Sequence, residues 1–481
     1  MAMIRATPAR HHRSKPARMS AYPVSAIFVL GLGLGFGTIG CTANAADVTP
    51  PDDQIFFPTA LAVAPDDSVM WVASSNSDLS YDSGTISVIN LDLVDQVIDN
   101  WLGSQQFPTG SNGCYQDPNV LTSIVCDETQ FMEVGNGTRT GNFVTSIGVQ
   151  DRGSGALRLI VPTRGDPSIT WIDIAPDSQK LDCTDSQGFA ICDDNHRLTD
   201  VRNDPNVAEL EPEPFDVFVD SLNQFAMVTH LSTGAISLID SPADGSAVIS
   251  DVAYNLFMAD PLTGIVGSTV VAGRNPTSPD DMVYVGALSE DRVQMMTVGH
   301  PVNDDFPFLI PGNYFFLDAV GSNAGASEDT RALLFSPDGN TMYLANRLPP
   351  SLQVYDTSLA ANGFPANNLL AAMDICEEVS TATLLDAGDG PRVFLSCFQD
   401  GEVYVVDPTG EENLIANITQ EGRGPYSIVS APTRKKIYVT NFLEDTIGVI
   451  DDTPGSPTRN RVVLRIGVPI PPTPTTEQTG L

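Results

Sequence analysis

The sequence predicts an all-β fold, a seven-bladed β-propeller with disulfide-linked loop insertions, on three observations. A strand–turn–strand unit recurs seven times along the chain. The closest units end at Asp407 and Asp451, 44 residues apart, and a four-stranded propeller blade takes about 40 to 45 residues. Gly 39 and Pro 36 in 481 residues supply the turns that many short strands need.

The unit is clearest near the C-terminus. Pro432-Thr433-Arg434 leads into Lys436-Ile437-Tyr438-Val439-Thr440-Asn441, and a polar turn precedes Thr446-Ile447-Gly448-Val449-Ile450-Asp451. Apolar and polar residues alternate with period two and are rich in Val, Ile and Tyr, the pattern of half-buried strands. The ten-residue interval from Asn441 to Asp451 returns from Thr163 to Asp173, His230 to Asp240, Asn346 to Asp356 and Cys397 to Asp407. The fourth-blade copy runs from Ala287 to Thr297 without the closing Asp, and the first, Ser74 to Asn90, has six extra residues in its hairpin.

Tight-turn signals precede several copies: Pro65-Asp66-Asp67, Pro279-Asp280-Asp281 and Pro337-Asp338-Gly339. There Pro presets the turn, and Asp or Gly tolerates its second half. Before those turns lies another short apolar strand, such as Ala60 to Val63, Asp216 to Val219, Ala332 to Phe335 or Tyr426 to Val429. A fourth strand belongs in the variable segment after each unit. The largest insertions fall between Asp92 and Gly153 and between Ile174 and Glu213. Radial packing of twisted sheets leaves no long exposed edge, which favours a closed ring over a solenoid. A strand around Val462 to Ile466 is expected to close the ring on the first or last blade.

Tyr438-Val439-Thr440-Asn441 is the tetrapeptide for which the YVTN β-propeller repeat is named, and Phe335-Ser336-Pro337-Asp338-Gly339 with Met342-Tyr343-Leu344-Ala345-Asn346 resembles the same unit. The resemblance covers most of residues 54 to 468, most closely in the last three copies. It implies a seven-bladed propeller similar to the extracytoplasmic YncE-like proteins and, more distantly, to lactonase-type propellers. The motif marks strands and turns; it does not specify a reaction.

Residues 1 to 41 hold five bases, Arg5, Arg10, Arg13, Lys15 and Arg18, no acid, and an apolar stretch from Ile27 to Ile39. This is a signal-peptide layout. The glycine-interrupted stretch is shorter than the roughly 20 residues of a membrane span. Thr38-Ile39-Gly40-Cys41 resembles a bacterial lipobox and makes Cys41 the expected lipidation site, while Ala43-Asn44-Ala45 is the alternative site for soluble release. The favoured organisation is a lipoprotein-type signal peptide over 1–40, a tether over 41–53, the propeller over 54–468 and a disordered Pro/Thr tail over 469–481. The expected location is extracytoplasmic: anchored to the outer membrane by lipid, otherwise periplasmic or secreted.

Lys+Arg 24 against Asp+Glu 60 gives a formal charge of -36. Nucleic acid is excluded as a partner because phosphate binding needs clustered bases, and no membrane contact is expected beyond the N-terminal lipid. Six cysteines beyond Cys41 form local couples: Cys114 with Cys126, Cys183 with Cys192, and Cys376 with Cys397. Six allow 15 connectivities in principle; local pairing is the economical choice, and an even number suits an oxidising compartment.

Chemistry is sparse. No G-x-S-x-G elbow, Walker loop or dinucleotide fingerprint stands in a strand-to-helix setting. His196, His230 and His300 are scattered, which argues against a haem or multi-histidine metal site. His230 occupies the Asn441 position of its repeat and reads as a strand-end residue that satisfies turn backbone groups. A lactonase would need a polar cluster at the mouth of the central channel; by blade position the candidates are His230, Arg164 and Arg347. Asp193 and Asp194, in a cysteine-closed insertion, are the candidate ligands for calcium, and no other cofactor is expected. The expected function is a monomeric cell-envelope binding or scaffolding module that contacts an envelope protein or small ligand through its loop face. The alternative is a periplasmic lactonase-type hydrolase.

Overall fold

The computed structural model describes residues 48–471 except 105–112, 185, 187, 200–207, 258–265, 275–281, 289, 302–305, 318–328, 410–413 and 419–421. The signal peptide, Cys41, the start of the tether, Pro279-Asp280-Asp281 and most of the Pro/Thr tail lie outside the described residues.

Seven sheets, each with four antiparallel strands at its heart, correspond to the seven copies. Blade 1 is β1 (Pro58–Val63), β2 (Val69–Ser74) and β3 (Gly84–Asn90), then an insertion carrying α1 (Leu91–Ser104), β4 (Cys114–Gln116) and β5 (Ile124–Cys126), then β6 (Thr138–Thr140). Blade 2 is β7 (Gly148–Gly153), β8 (Ala156–Thr163), β9 (Ser168–Ile174) and β10 (Arg197–Leu198). Blade 3 is β11 (Pro214–Asp220), β12 (Phe225–His230), β13 (Ile236–Asp240) and β14 (Val248–Ala253). Blade 4 is β15 (Ser268–Gly273), β16 (Val283–Ala287), β17 (Arg292–Gly299) and β18 (Phe308–Phe316). Blade 5 is β19 (Asp329–Phe335), β20 (Thr341–Leu348), β21 (Ser351–Asp356) and β22 (Asn368–Asp374). Blade 6 is β23 (Val379–Asp386), β24 (Pro391–Cys397), β25 (Glu402–Val406) and β26 (Leu414–Ile418). Blade 7 is β27 (Pro425–Ala431), β28 (Lys436–Asn441), β29 (Thr446–Asp451) and β30 (Arg461–Ile466). The fourth strand of each blade lies in the variable segment, and first strands of neighbouring blades touch around the axis from blade 2 through blade 7 to blade 1.

Period-two alternation explains the radial packing. In β20, Met342 and Leu344 join Tyr284 and Val270 of blade 4, while Tyr343 and Ala345 join Val393 and Leu395 of blade 6. One strand therefore feeds two inter-blade cores, and each fully buried large side chain contributes ~1.5–3 kcal/mol. The hairpin turns follow from the sequence signals. Asp67 sits at φ 57° and Gly339 at φ 69°, and their N–H groups close turns onto the Ala64 and Ser336 carbonyls at 2.8 Å.

Ring closure uses the blade 1 insertion. β30, the strand expected near Val462 to Ile466, is the fourth strand of the last blade and pairs with β29. Its other edge pairs in parallel with β5, with Leu464 opposite Ile124 and Ile466 opposite Cys126. β4 pairs with β5, so this sheet reaches six strands, and the Cys114–Cys126 disulfide links the two added strands. The insertion also contains a helix, α1, that the strand repeat does not signal. Asn90 Oδ1 caps α1 by accepting from the Asp92 and Leu93 N–H groups at 3.0 and 3.2 Å. Its buried face, with Val94, Ile98 and Trp101, shares one core with Tyr438, Val449 and Leu464 of blade 7.

The other two disulfides also pair locally. Cys183–Cys192 closes the blade 2 insertion, which runs along β6: the Arg139 N–H donates to the Ala190 carbonyl and the Cys192 N–H to the Arg139 carbonyl. Cys376–Cys397 ties the entry of blade 6 to its second strand. Among the described residues, no helix is long and apolar enough to cross a membrane.

Replacing Cys114 and Cys126 together by serine is expected to lower stability by about 2–3 kcal/mol, the scale for a loop of this length. Urea unfolding followed by fluorescence checks this; an unchanged midpoint would show that the latch carries no part of the closure.

Candidate functional site

Most first strands are irregular at their axial end. Six of the seven carry a β-bulge there: register shifts occur at Pro58/Ala60, Pro214/Val217, Ser268/Val270, Thr330/Ala332, Val379/Thr381 and Pro425/Ile428. Bulges re-aim side chains. Here they turn residues such as Thr59, Phe215, Asp216, Arg331, Ser380, Tyr426 and Ser427 towards the axis, where they line a cavity of about 330 Å³ to which all seven blades contribute.

The repeat position of His230 and Asn441 lies opposite or beside this bulge. Its occupants, Ser74, Thr163, His230, Ala287, Asn346, Cys397 and Asn441, are all fully buried. The next residue reaches the channel rim. In five blades its N–H donates to the carbonyl of a residue with left-handed backbone: Ser75 to Phe57, Arg164 to Phe143, Leu231 to Glu213, Phe398 to Glu378, and Phe442 to Gly424. A side chain at Gly424 would bring its Cβ within 2.9 Å of Leu443 and 3.0 Å of Phe398, so glycine is required there.

Rim side chains join neighbouring blades. Arg164 of blade 2 bonds Glu213 of blade 3 at 2.7 Å, and Arg347 of blade 5 pairs with Glu378 of blade 6 at 3.2 Å. Between blades 7 and 1 the same link is apolar, Phe442 against Phe57 with ring centres 5.5 Å apart. A third arginine, Arg331 on the β19 bulge, pairs with Asp329 at 2.8 Å. Arg164, Arg331 and Arg347 all line the cavity.

The ionisation states follow from these contacts. The hydrogen bond from Arg164 holds the Glu213 carboxyl below its usual range. Burial raises the Asp329 carboxyl against the pull of Arg331. Asp216 is enclosed by the ring yet open on one side to the cavity; burial pushes it up to about 6, opposed by bonds from the Val271 N–H and the Ser146 hydroxyl. Burial also raises the Tyr426 phenol, while Arg331, Arg164 and Arg347 pull it down.

The structure brings Arg164 and Arg347 to one cavity and places His230 behind it. The His230 Nδ1–H donates to the Pro212 carbonyl at 2.9 Å and Nε2 accepts from the Ser237 hydroxyl at 2.8 Å. Both ring nitrogens are occupied, and burial lowers the imidazole to about 4. Asp193 caps a short 3₁₀ turn, accepting from the Asn195 and His196 N–H groups, and its Oδ1 lies 2.9 Å from His196 Nδ1. The neighbouring Asp194 lies in that turn. Among the described residues, no three His, Cys, Asp or Glu side chains are grouped to hold a metal ion.

Arg331, Asp216 and Tyr426 were missed from sequence. The available signal was positional: all three follow the start of a first strand, as in Pro214-Phe215-Asp216 and Pro425-Tyr426-Ser427.

No family model matches the chain, and no curated protein does. Solved structures do. The β-propeller domain of Cps50 (Swd1) from Myceliophteria thermophila is similar with a TM-score of 0.51 at 10% identity, over 82% of this chain and 95% of that one. A protein from Bacteroides fragilis provisionally assigned as a 6-phosphogluconolactonase has a TM-score of 0.50 at 15% identity, over 75% and 99%. The periplasmic gluconolactonase PpgL of Pseudomonas aeruginosa has a TM-score of 0.46 at 12% identity, over 75% and 85%. At these identities the likeness shows the propeller fold alone.

Two buried groups of blade 3 titrate in opposite senses. Asp216 binds its proton more tightly when folded, so acidification from about 6 towards 3.8 adds stability. His230 resists a proton that the unfolded chain accepts, so its contribution is present above 6.5 and lost as pH falls towards about 4. Asp216→Asn is expected to stabilise the protein at about pH 7.5 and to lose that advantage near pH 4. Unfolding at both values checks this, and a pH-independent difference would remove burial as the cause. His230→Asn, which installs the residue of blades 5 and 7, is expected to fold and to flatten the acid-side loss between about pH 6.5 and 4 in the same assay.

Proposed function

We propose that the protein is an extracytoplasmic binding module that takes a small ligand at the axial cavity of its propeller. The observation that carries this reading is the cavity itself, lined by Arg331 and Arg347 on β19 and β20 and by Arg164 just past the end of β8. Ligand sites are concave, largely preformed and lined by a few convergent polar groups; this cavity has those features, and Phe215, Leu231 and Tyr426 add apolar surface. Three disulfides and the signal-peptide layout support a location outside the cytoplasm. The YVTN-like tetrapeptide supports kinship with extracytoplasmic propellers, and the lipobox-like segment supports a lipid anchor on Cys41. The acidic surface supports a monomer that avoids nucleic acid and anionic lipid.

Lactone hydrolysis is the second reading, and Asp216 is the observation that favours it. A carboxyl near 6 in a cavity with three arginines is suited to general-base work, and guanidinium groups suit an oxyanion. It ranks second because both Asp216 oxygens already accept hydrogen bonds, from Ser146 and Val271. Turnover of gluconolactone that is lost in Asp216→Asn would replace the binding reading.

Leu231 is half-buried on the cavity wall, and Leu231→Trp is expected to fill the space without altering the melting temperature of the unliganded protein. A thermal-shift screen of charged and neutral metabolites is expected to give ligand-dependent increases in wild type that vanish in Leu231→Trp. Hits that persist in the variant place binding elsewhere, and a screen without hits removes the reading.

A further inference from the structure

The channel rim is divided into two chemically different arcs. Blade 2 supplies Arg164 and blade 5 Arg331 and Arg347, with the first two guanidinium groups 5.8 and 6.0 Å from the ring centre of Phe215 in blade 3. Blades 6, 7 and 1 supply a chain of rings. Phe398 and Tyr426 are 6.3 Å apart, Tyr426 and Phe442 6.2 Å, and Phe442 and Phe57 5.5 Å. Tyr426 lines the cavity; Phe398 and Phe442 pack against Tyr426 from behind, and Phe57 packs against Phe442.

The arginine arc has donors to spare. A guanidinium carries five N–H donors in a planar fork, and each of these three has a carboxylate partner: Glu213, Asp329 or Glu378. Arg164 Nε and Arg331 Nε are enclosed and meet no acceptor among the described residues. Those two nitrogens have no exposed surface for a ligand to meet, but both guanidinium groups line the cavity and carry further N–H donors, which a planar two-oxygen acceptor takes in pairs.

Charge and size narrow the choice. Glu213, Asp329 and Glu378 match the three guanidinium charges, and Asp216 adds another carboxyl to the wall. The guanidinium charges are thus already matched, so an anion gains there by hydrogen-bond geometry and not by net charge, and a dianion such as a phosphate ester is disfavoured more than a monoanion. At about 330 Å³ it lies at the small end of ligand sites, which span ~300–1,000 Å³; that suits one ring and a short side chain. The opposite arc offers ring faces and edges, which bind another flat ring by offset or edge-to-face contact.

We propose that the channel mouth binds a small aromatic monocarboxylate, its carboxylate held by Arg164 and Arg331 and its ring against Tyr426 on the side backed by Phe398 and Phe442. This rests on the axial cavity being the binding site.

Isothermal titration calorimetry of the full chain tests it with benzoate, phenylacetate and 3-phenylpropionate, their neutral amides, acetate and inorganic phosphate. At least one aromatic carboxylate is expected to bind tenfold or more tightly than its amide and than acetate. Arg331→Gln is expected to erase the advantage over the amide while the amide's own binding stays; Arg164→Gln supplies the same readout if the first variant does not fold. Equal binding of acetate and the aromatic acids, tighter binding of an amide or of phosphate, or no binding by any aromatic acid overturns the proposal. Failure of the underlying reading is separate: it shows as an empty metabolite screen, whereas neutral or cationic hits lost in Leu231→Trp keep the cavity as a site and remove only the aromatic acid.

Discussion

A ring of wedge-shaped sheets depends on the seam where its last sheet meets its first. Here neither blade takes any of its four strands from the other: blade 1 is completed by its own β6 and blade 7 by its own β30. Closure rests on contacts between segments hundreds of residues apart. The Phe57 N–H donates to Asp445, the Leu61 N–H to Ser427, and Arg434 reaches Asp92 and Asp95 on α1. The insertion adds what the two blades lack, a parallel strand on the open edge of β30 and a helix that completes the core between them. Long-range closure of this kind is costly in chain entropy, and the disulfide beside it reduces that cost in the chain-entropy model.

The same seam geometry, repeated seven times, creates the site. Blades arranged around an axis bring their first strands together, and the bulges spare those strand ends from continuing as regular ladder. A bulged end releases side chains from the two-faced alternation and aims them inward. The links between neighbouring blades then differ in kind. Ion pairs join blades 2 to 3 and 5 to 6, and rings join blade 7 to blade 1. The chemical asymmetry of the mouth is therefore a by-product of how each seam is held.

Periodicity made the fold legible. Alternation at Met342 to Ala345 and at Ile437 to Val439 marks strands with two buried faces, and the Pro-Asp turns mark their ends. Helix α1 was hidden because its apolar residues sit in one short insertion, outside the repeat that guided the reading. Arg164 and Arg347 were found because they follow a strong repeat position. Arg331 and Asp216 were not, since they sit at bulges, where one extra residue breaks the alternation by which a strand is read. His230 illustrates the opposite: its place in the repeat was plain, but its bonds to Pro212 and Ser237 come from a loop and a neighbouring strand that only the fold brings to it.

The charge distribution adds a constraint on what reaches the cavity. Much of the basic complement of this acidic chain is spent inside it. Arg158 is fully buried against Asp173 and Trp171, and Arg459 bridges Asp389 and Asp452. The acids that remain leave a surface that repels anions. That repulsion is screened beyond ~8–10 Å at physiological salt, so it slows an approaching anion near the surface without reaching further. The arginines at the mouth act over contact distance, against partners already matched to them. An anion gains there only by fitting the fork geometry of the guanidinium groups. Selectivity at such a site comes from shape and donor placement, with little contribution from long-range attraction.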